Sequence, residues 1–262
     1  FERTPADIES LLSQACASDG QIAKVAAFVN SWSDNRRLLD LTSRDWPKPV
    51  IVIGMGETGQ ITRIIGTARG SFLTFASSTN ASAPGQLTVR EMHEIYKFRR
   101  VRKTTALIGI IGNPLGHSLS PVIHNRAFEV LNLDFVYLKF PVSDVKDFFD
   151  NALDIGIQGF SVTIPHKTAV IPFLDEQTPE AAEAGAVNTV VRRDGKWIGD
   201  NTDVHGIRAA LASASFDPTD KTVVIMGRGG AAKAAVVAMK GARRVTLLSR
   251  ADIAGVQDYP CD

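Results

Sequence analysis

Two cysteines, Cys16 and Cys261, are all that the 262 residues contain. That excludes a disulfide framework and any cysteine-built metal site, and it makes a reducing cytoplasm the default compartment. No apolar run approaches the roughly 18 residues of a membrane-spanning helix, and no signal-peptide pattern opens the chain. Nor is there an excess of one sign of charge. The 29 Lys and Arg face 28 Asp and Glu, a net +1, which removes the electrostatic case for nucleic acid or a membrane surface as partner. Short fixed repeats and low-complexity tracts are also missing. What remains is a hydrophobic content of 44% against 22% charged residues, enough for a substantial core, in a length that favours two domains.

Short apolar runs alternate with amphipathic helical patterns, as in βα units with parallel strands, so the fold class is α/β. In the first hundred residues strands are expected at 24–29, 49–54 and 71–77, with helices at about 5–16, 32–42, 59–67 and 88–98. Such units cannot close an eight-stranded barrel by themselves. The basic stretch KFRRVRKTTA (97–106) reads as a connection, with 99–106 as the linker proper. A second α/β region follows, with strands near 107–111, 135–140, 157–163 and 187–192 and helices near 121–131 and 143–154. From 215 onward the pattern is strand, glycine-rich turn, helix and strand.

Within that last segment GRGGAA (227–232) follows an apolar strand and opens an alanine-rich helix. Gly227 suits the tight turn, and Gly229, Gly230 and Ala231 would present backbone N–H groups to a pyrophosphate at the helix N-terminus. A glycine turn without a ligand fits those residues equally well. The next strand ends in Ser249-Arg250. A hydroxyl and a guanidinium suit a 2′-phosphate, whereas an NAD site wants an acidic residue there, so NADP is the expected cofactor.

Three other stretches carry polar residues at strand or helix ends. GNPLGHSLSP (112–121) sets Ser118 and Ser120 two residues apart, and Ser120 before Pro121 has the form of a helix N-cap. GFSVTIPHKTAV (159–170) runs from an apolar strand through Thr163 to Lys167, which is expected in the first turn of a helix. The positive end of the helix dipole there would ease proton release. GAVNTVV (185–191) puts Asn188 at a strand start, and in DNTDVHG (200–206) Thr202 or Asp203 could cap the following helix.

Taken together these motifs resemble shikimate dehydrogenase over about residues 107–250. The resemblance implies that Ser118 and Ser120 grip the substrate carboxylate. Ser161-Val162-Thr163-Ile164-Pro165-His166-Lys167 matches the family's N-V-T-x-P-x-K, with Ser161 in place of the common Asn. By the same resemblance Thr163 and Asn188 bind substrate, while Lys167 with Asp203 transfers the proton as NADPH reduces 3-dehydroshikimate.

In the first hundred residues Lys24 opens an apolar strand, Arg63 lies in GMGETGQITRIIG (54–66), and Ser82 and Gln86 lie in NASAPGQLT (80–88). Each could be structural. Their order resembles the last part of type I 3-dehydroquinate dehydratase, a βα barrel, over about residues 1–98. The resemblance implies that Lys24 forms a Schiff base, activated by a desolvated site. Arg63, Ser82 and Gln86 would hold the substrate's carboxylate and hydroxyls. The family's general-base histidine is expected just before Phe1, and the nucleotide-binding part stops after its second strand, so a longer protein is expected.

The expected architecture is therefore a partial (β/α)8 barrel (1–98), an α/β substrate-binding domain (107–214) and the start of an NADP-binding Rossmann domain (215–262). The expected function is bifunctional: dehydration of 3-dehydroquinate, then reduction of 3-dehydroshikimate. The expected partners are these small molecules, and no metal is expected. A quinate-sensing regulator built from the same domains, and a quinate dehydrogenase, are the competing readings.

Overall fold

The computed structural model describes residues 1–79 and 81–249. They form two compact units, the first running from Phe1 to Phe160 and the second from Ser161 onward.

The first unit opens with α1 (Ile8–Ala17), β1 (Ala23–Phe28), α2 (Trp32–Thr42), β2 (Val50–Met55) and the short α3 (Gln60–Ile65). The strands β1 and β2 are parallel, with Lys24 opposite Ile51. Their apolar faces bury Val25, Ala27, Val50 and Val52 against Ile8, Leu12, Leu38 and Leu41 of the helices. The strand expected at 71–77 does not form. Phe72 N–H reaches Val50 C=O at 2.7 Å, but the Ser71 hydroxyl, not a backbone carbonyl, takes the Val52 N–H, and the ladder ends there. Only a single bridge, Ser77 to Thr88, remains of it. The helix expected at 88–98 is likewise reduced to a π-helical turn, Glu91–Ile95. It is started by a capping box in which Thr88 Oγ1 accepts from Glu91 N–H at 3.1 Å and Glu91 Oε2 accepts from Thr88 N–H at 2.8 Å.

Next come β3 (Ala106–Gly112), α4 (Ser120–Val130), β4 (Phe135–Pro141), α5 (Val145–Ile155) and β5 (Ile157–Val162). They match the expected elements closely, because each strand is an apolar run stopped by a turn residue. The strands order as β4-β3-β5, with β3 and β4 parallel. The unit boundary falls inside β5.

The linker expected at 99–106 is not a free tether. Tyr96 just before it is buried, and Lys97 Nζ lies 3.0 Å from the Glu129 carboxylate of α4. A second attachment joins α2 to α5. The Asp147 carboxylate accepts from Trp32 N–H at 2.5 Å and Ser33 N–H at 3.2 Å, capping α2 from outside its own segment. Trp32 indole N–H donates to Pro141 C=O at 3.0 Å, and its buried ring meets Phe140 and Phe148 edge-on at 5.4 and 5.0 Å. The early βα units and the segment from β3 to α5 thus belong to one compact unit, which does not break at the linker.

The second unit holds β6 (Glu176–Gln177), α6 (Pro179–Ala184), β7 (Thr189–Arg193), β8 (Lys196–Asp200), α7 (Thr202–Ser213), β9 (Thr222–Met226), α8 (Gly230–Ala238) and β10 (Arg244–Leu248). A hairpin pairs β7 with β8, its turn made by Asp194 and Gly195, both at positive φ. The parallel pair β9 and β10 flanks the glycine turn as expected. Val204, Ala234, Val237 and Ala238 bury α7 against α8.

Candidate functional site

The second unit gathers Lys167, Asn188, Thr202 and Asp203 into one hydrogen-bonded cluster. Lys167 Nζ donates to Asp203 Oδ2 at 2.6 Å, and Asn188 Nδ2 donates to Asp203 Oδ1 at 2.7 Å, so both carboxylate oxygens are held. Asn188 is itself fixed from the other side. Its Oδ1 accepts from Thr202 N–H at 2.9 Å and from Thr189 Oγ1 at 3.0 Å, and Nδ2 also reaches Thr202 Oγ1 at 2.9 Å. Asp203 lies in the first turn of α7, where the N–H groups favour a carboxylate. The lysine side chain is 19% exposed and the aspartate 33%, so the pair is sheltered yet reachable. This arrangement holds the Lys167 ammonium at a fixed point beside a carboxylate.

Two expectations fail here. Lys167 is not in the first turn of a helix: residues 164–170 form successive turns. Its own C=O accepts from Val187 N–H at 2.7 Å, so the acceptor that a helix would use is taken by a segment distant in sequence. The orienting charge is therefore Asp203, not a helix dipole. Thr202 and Asp203 do not cap α7 either, since the N-cap position is Asn201 and the Asp203 oxygens are taken by Lys167 and Asn188. Thr163 precedes those turns, with its C=O accepting from His166 N–H at 2.9 Å.

Gly227, Gly229, Gly230 and Ala231 stand at the end of β9 and the start of α8, as the sequence implies. Gly227 has φ of +117°, a conformation glycine adopts readily. A Cβ on Gly229 would project into open space, with no atom within 4 Å. The first N–H groups of α8 have no partner within the helix. An open glycine at the N-terminus of a helix fits a dinucleotide pyrophosphate. Ser249 follows β10, and Arg250 lies outside the described residues.

In the first unit, Ser118 and Ser120 do come together. Ser118 Oγ donates to Ser120 Oγ at 3.2 Å, and Ser120 N–H points to Ser118 Oγ at 3.4 Å. Ser120 is the first residue of α4 and does not cap it; the N-cap position is Leu119, without a side-chain bond. Its hydroxyl is turned to Ser118.

Also in the first unit, Arg63 is 2% exposed, and burial holds its guanidinium below its usual pKa. Nη2 lies 3.4 Å from Pro84 C=O, while Nε has no partner. A buried cation with an idle donor is costly unless an anion is meant to meet it. Gln86 Oε1 accepts from Ser82 N–H and Oγ at 2.7 and 2.8 Å. The loop carrying them is tied back by Gly56 N–H to Pro84 C=O at 3.1 Å. Lys24 departs from expectation. It sits on the exposed face of β1, with Nζ 4.2 Å from the centroid of the Phe75 ring, and is not desolvated. The Phe75 ring beside it is itself 39% exposed.

Among the described residues no cluster of His, Cys, Asp and Glu has metal-site geometry, and no helix is long and apolar enough to cross a membrane.

A lysine locked to a helix-borne carboxylate, beside a strand, glycine turn and helix, is the equipment of α/β proteins that do polar chemistry on a small molecule. Residues 1–103 match the family model of type I 3-dehydroquinase, and residues 110–190 match that of the shikimate dehydrogenase substrate binding domain. A bifunctional 3-dehydroquinate dehydratase/shikimate dehydrogenase of Arabidopsis thaliana, chloroplastic, is 37% identical over 89% of this chain and 42% of its own. An NADP(+) shikimate dehydrogenase of Bacillus mycoides is 53% identical over 49% of this chain and 47% of its own. A shikimate 5-dehydrogenase structure from Listeria monocytogenes, in complex with shikimate and NAD, superposes with a TM-score of 0.53 at 41% identity. It covers 58% of this chain and 54% of that one. The chain thus spans about half the length, or less, of these relatives.

Proposed function

We propose that this chain is part of a bifunctional enzyme that dehydrates 3-dehydroquinate to 3-dehydroshikimate and reduces that product to shikimate with NADPH. The observation that carries the reading is the Lys167–Asp203–Asn188 cluster, whose Lys167 and Asn188 fall within the residues that match the shikimate dehydrogenase substrate binding domain. The proposed division is a dehydratase segment to residue 98, a substrate-binding segment over 107–214 and a nucleotide-binding segment from 215.

In the dehydrogenase reaction Lys167 holds the transferable proton at Nζ, and Asp203 fixes where that proton points. Asn188 occupies the second carboxylate oxygen and so stops Asp203 from rotating away. Ser118 and Ser120 supply paired hydroxyls for the substrate carboxylate, and Thr163 a further hydroxyl. When bound, NADPH supplies the hydride. Gly227, Gly229, Gly230 and Ala231 would hold its pyrophosphate, and Ser249 and Arg250 its 2′-phosphate. NADP is favoured by that Ser-Arg pair and by the Bacillus relative's name. In the dehydratase reaction the Lys24 amine attacks the substrate ketone and water leaves, giving an imine that acidifies the neighbouring C–H for elimination. Arg63, Ser82 and Gln86 position the substrate. The cytoplasm is the proposed compartment, and the chloroplastic relative supplies the alternative.

The test is shikimate-dependent reduction of NADP+ by the full-length protein, with NAD+ and quinate as comparators. Turnover confined to NADP+ and shikimate is expected. Turnover with quinate and NAD+ alone would overturn the assignment.

A further inference from the structure

The three glycines of the turn serve three different ends. Gly227 has the positive φ that a side chain would resist, and Gly229 faces open space. Gly230 does neither. It is the first residue of α8 and is not at positive φ, so its backbone conformation is open to other residues. The helix it opens, GAAKAAVVA, is otherwise built largely of alanine. Backbone energetics therefore gives no reason for glycine at 230.

Packing does. A Cβ at Gly230 would lie 2.7 Å from Lys167 Cδ, 3.1 Å from its Cβ and 3.4 Å from its Cγ. The Lys167 stem is laid across the start of α8 in the space a methyl group would fill. A lysine stem usually moves aside at little cost. This one is pinned at both ends: its C=O holds Val187 N–H at 2.7 Å, and its Nζ holds Asp203 Oδ2 at 2.6 Å.

We infer that Gly230 is a positioning residue for Lys167: the absent side chain lets the stem run straight to Asp203, so the glycine turn sets the lysine's geometry as well as admitting a nucleotide. This rests on the reading of Lys167 as proton donor, but the contact itself does not. A methyl group at 230 pushes the stem outward, lengthens the Nζ–Oδ2 contact and leaves the ammonium less tightly held.

The experiment measures how fast each lysine of the full-length protein is acylated by trace acetic anhydride, read by peptide mass spectrometry across pH. In Gly230→Ala the rate at Lys167 should rise at least threefold, while Lys24 and Lys233 keep their wild-type rates. In an Asp203→Asn background, where the pair is already broken, Gly230→Ala should add no further change. The kinetic counterpart is a fall in kcat measured at saturating NADP+, beyond any change in the KM for the nucleotide that Gly230 would also contact. An unchanged Lys167 rate, or a raised KM for NADP+ with intact kcat, would overturn the inference by making Gly230 a nucleotide contact only. If Gly230→Ala fails to fold, adding Lys167→Ala, which removes the stem, should restore folding, and failure to restore it would equally overturn the inference. A wild-type protein without shikimate-dependent NADP+ reduction would count against the proton-transfer reading alone, since the labelling rates decide the role of Gly230.

Discussion

Lys24 and Lys167 each stand at one end of a parallel strand, one at the start of β1 and one just past β5, and the structure treats them differently. Lys167 is sheltered and bound at 2.6 Å to a carboxylate that a second side chain also holds. Lys24 is exposed and lies against the face of an aromatic ring. We propose that the contact with Asp203 fits Lys167 to proton donation, while Lys24 forms the imine.

The contrast breaks most visibly if the proton donor is removed. Lys167→Ala should cut dehydrogenase turnover by about two to four orders of magnitude, the usual contribution of a positioned acid. Asp203→Asn should fall in the same direction, and Lys24→Ala should leave this reaction untouched. Steady-state kinetics with shikimate and NADP+ checks all three, and equal losses from Lys24→Ala and Lys167→Ala would erase the distinction.

Next in size is an effect on the unit that carries Lys24. Trp32 is 2% exposed, and its ring and N–H groups bind α2 to β4 and α5. Trp32→Ala should destabilise the first unit by about 3–5 kcal/mol, as expected for emptying an aromatic core site. Denaturant unfolding followed by far-UV circular dichroism measures it. A loss below 1 kcal/mol would mean that the early βα units do not depend on this attachment.

A smaller effect sharpens the account of Lys167. Asn188→Ala removes one of the two groups on Asp203 and frees the carboxylate to rotate. A hydrogen bond to a charged group is worth about 1.5–3 kcal/mol when buried, and this one is partly exposed, so a loss of roughly tenfold in kcat is expected. It should come with little change in the KM for NADP+. A loss confined to KM would make Asn188 a substrate contact and not a support for the pair.

The smallest effect concerns pH. His124 stacks on Tyr137 at 4.2 Å between ring centroids, and burial lowers its pKa below the ordinary 6.5. Between the two pKa values the unfolded chain binds more protons than the folded one, so His124 makes stability rise with pH up to about 6.5. As pH falls below that value the unit loses stability until the folded-state pKa is passed. His124→Gln should remove this component, seen as a flatter dependence of the unfolding midpoint on pH between 5 and 7. An unchanged slope would assign the dependence elsewhere.

Much of this was legible in the sequence, and the exceptions have physical causes. Strands β2 to β5 are apolar runs ended by turn residues, and periodicity finds them. The glycine turn was placed because GRGGAA sits between an apolar strand and an alanine-rich helix. SFLTFAS has strand composition, but the Ser71 hydroxyl takes the Val52 N–H that a third strand's carbonyl would accept, which no pattern reveals. Lys167 was placed in a helix for a similar reason. The residues after Pro165 have helical composition, but the lysine's carbonyl is claimed by Val187, distant in sequence. Thr202 as a support for Asn188 could have been suspected from its place beside Asp203. The capping of α2 by Asp147, and the contact of Gly230 with Lys167, depend on segments far apart in the chain and leave no local signal. The helices α6 and the strand β8 were missed because PEAAEA and KWIGD are too short for periodicity to register.

The claim that the two lysines divide the chemistry is tested most directly by trapping. Borohydride added to the full-length protein with 3-dehydroquinate should reduce an imine to a stable secondary amine, and peptide mapping should place the adduct on Lys24 with none on Lys167. An adduct on Lys167, or on both lysines alike, would contradict the account, because it would show that the Asp203 carboxylate does not keep Lys167 in the role of proton donor.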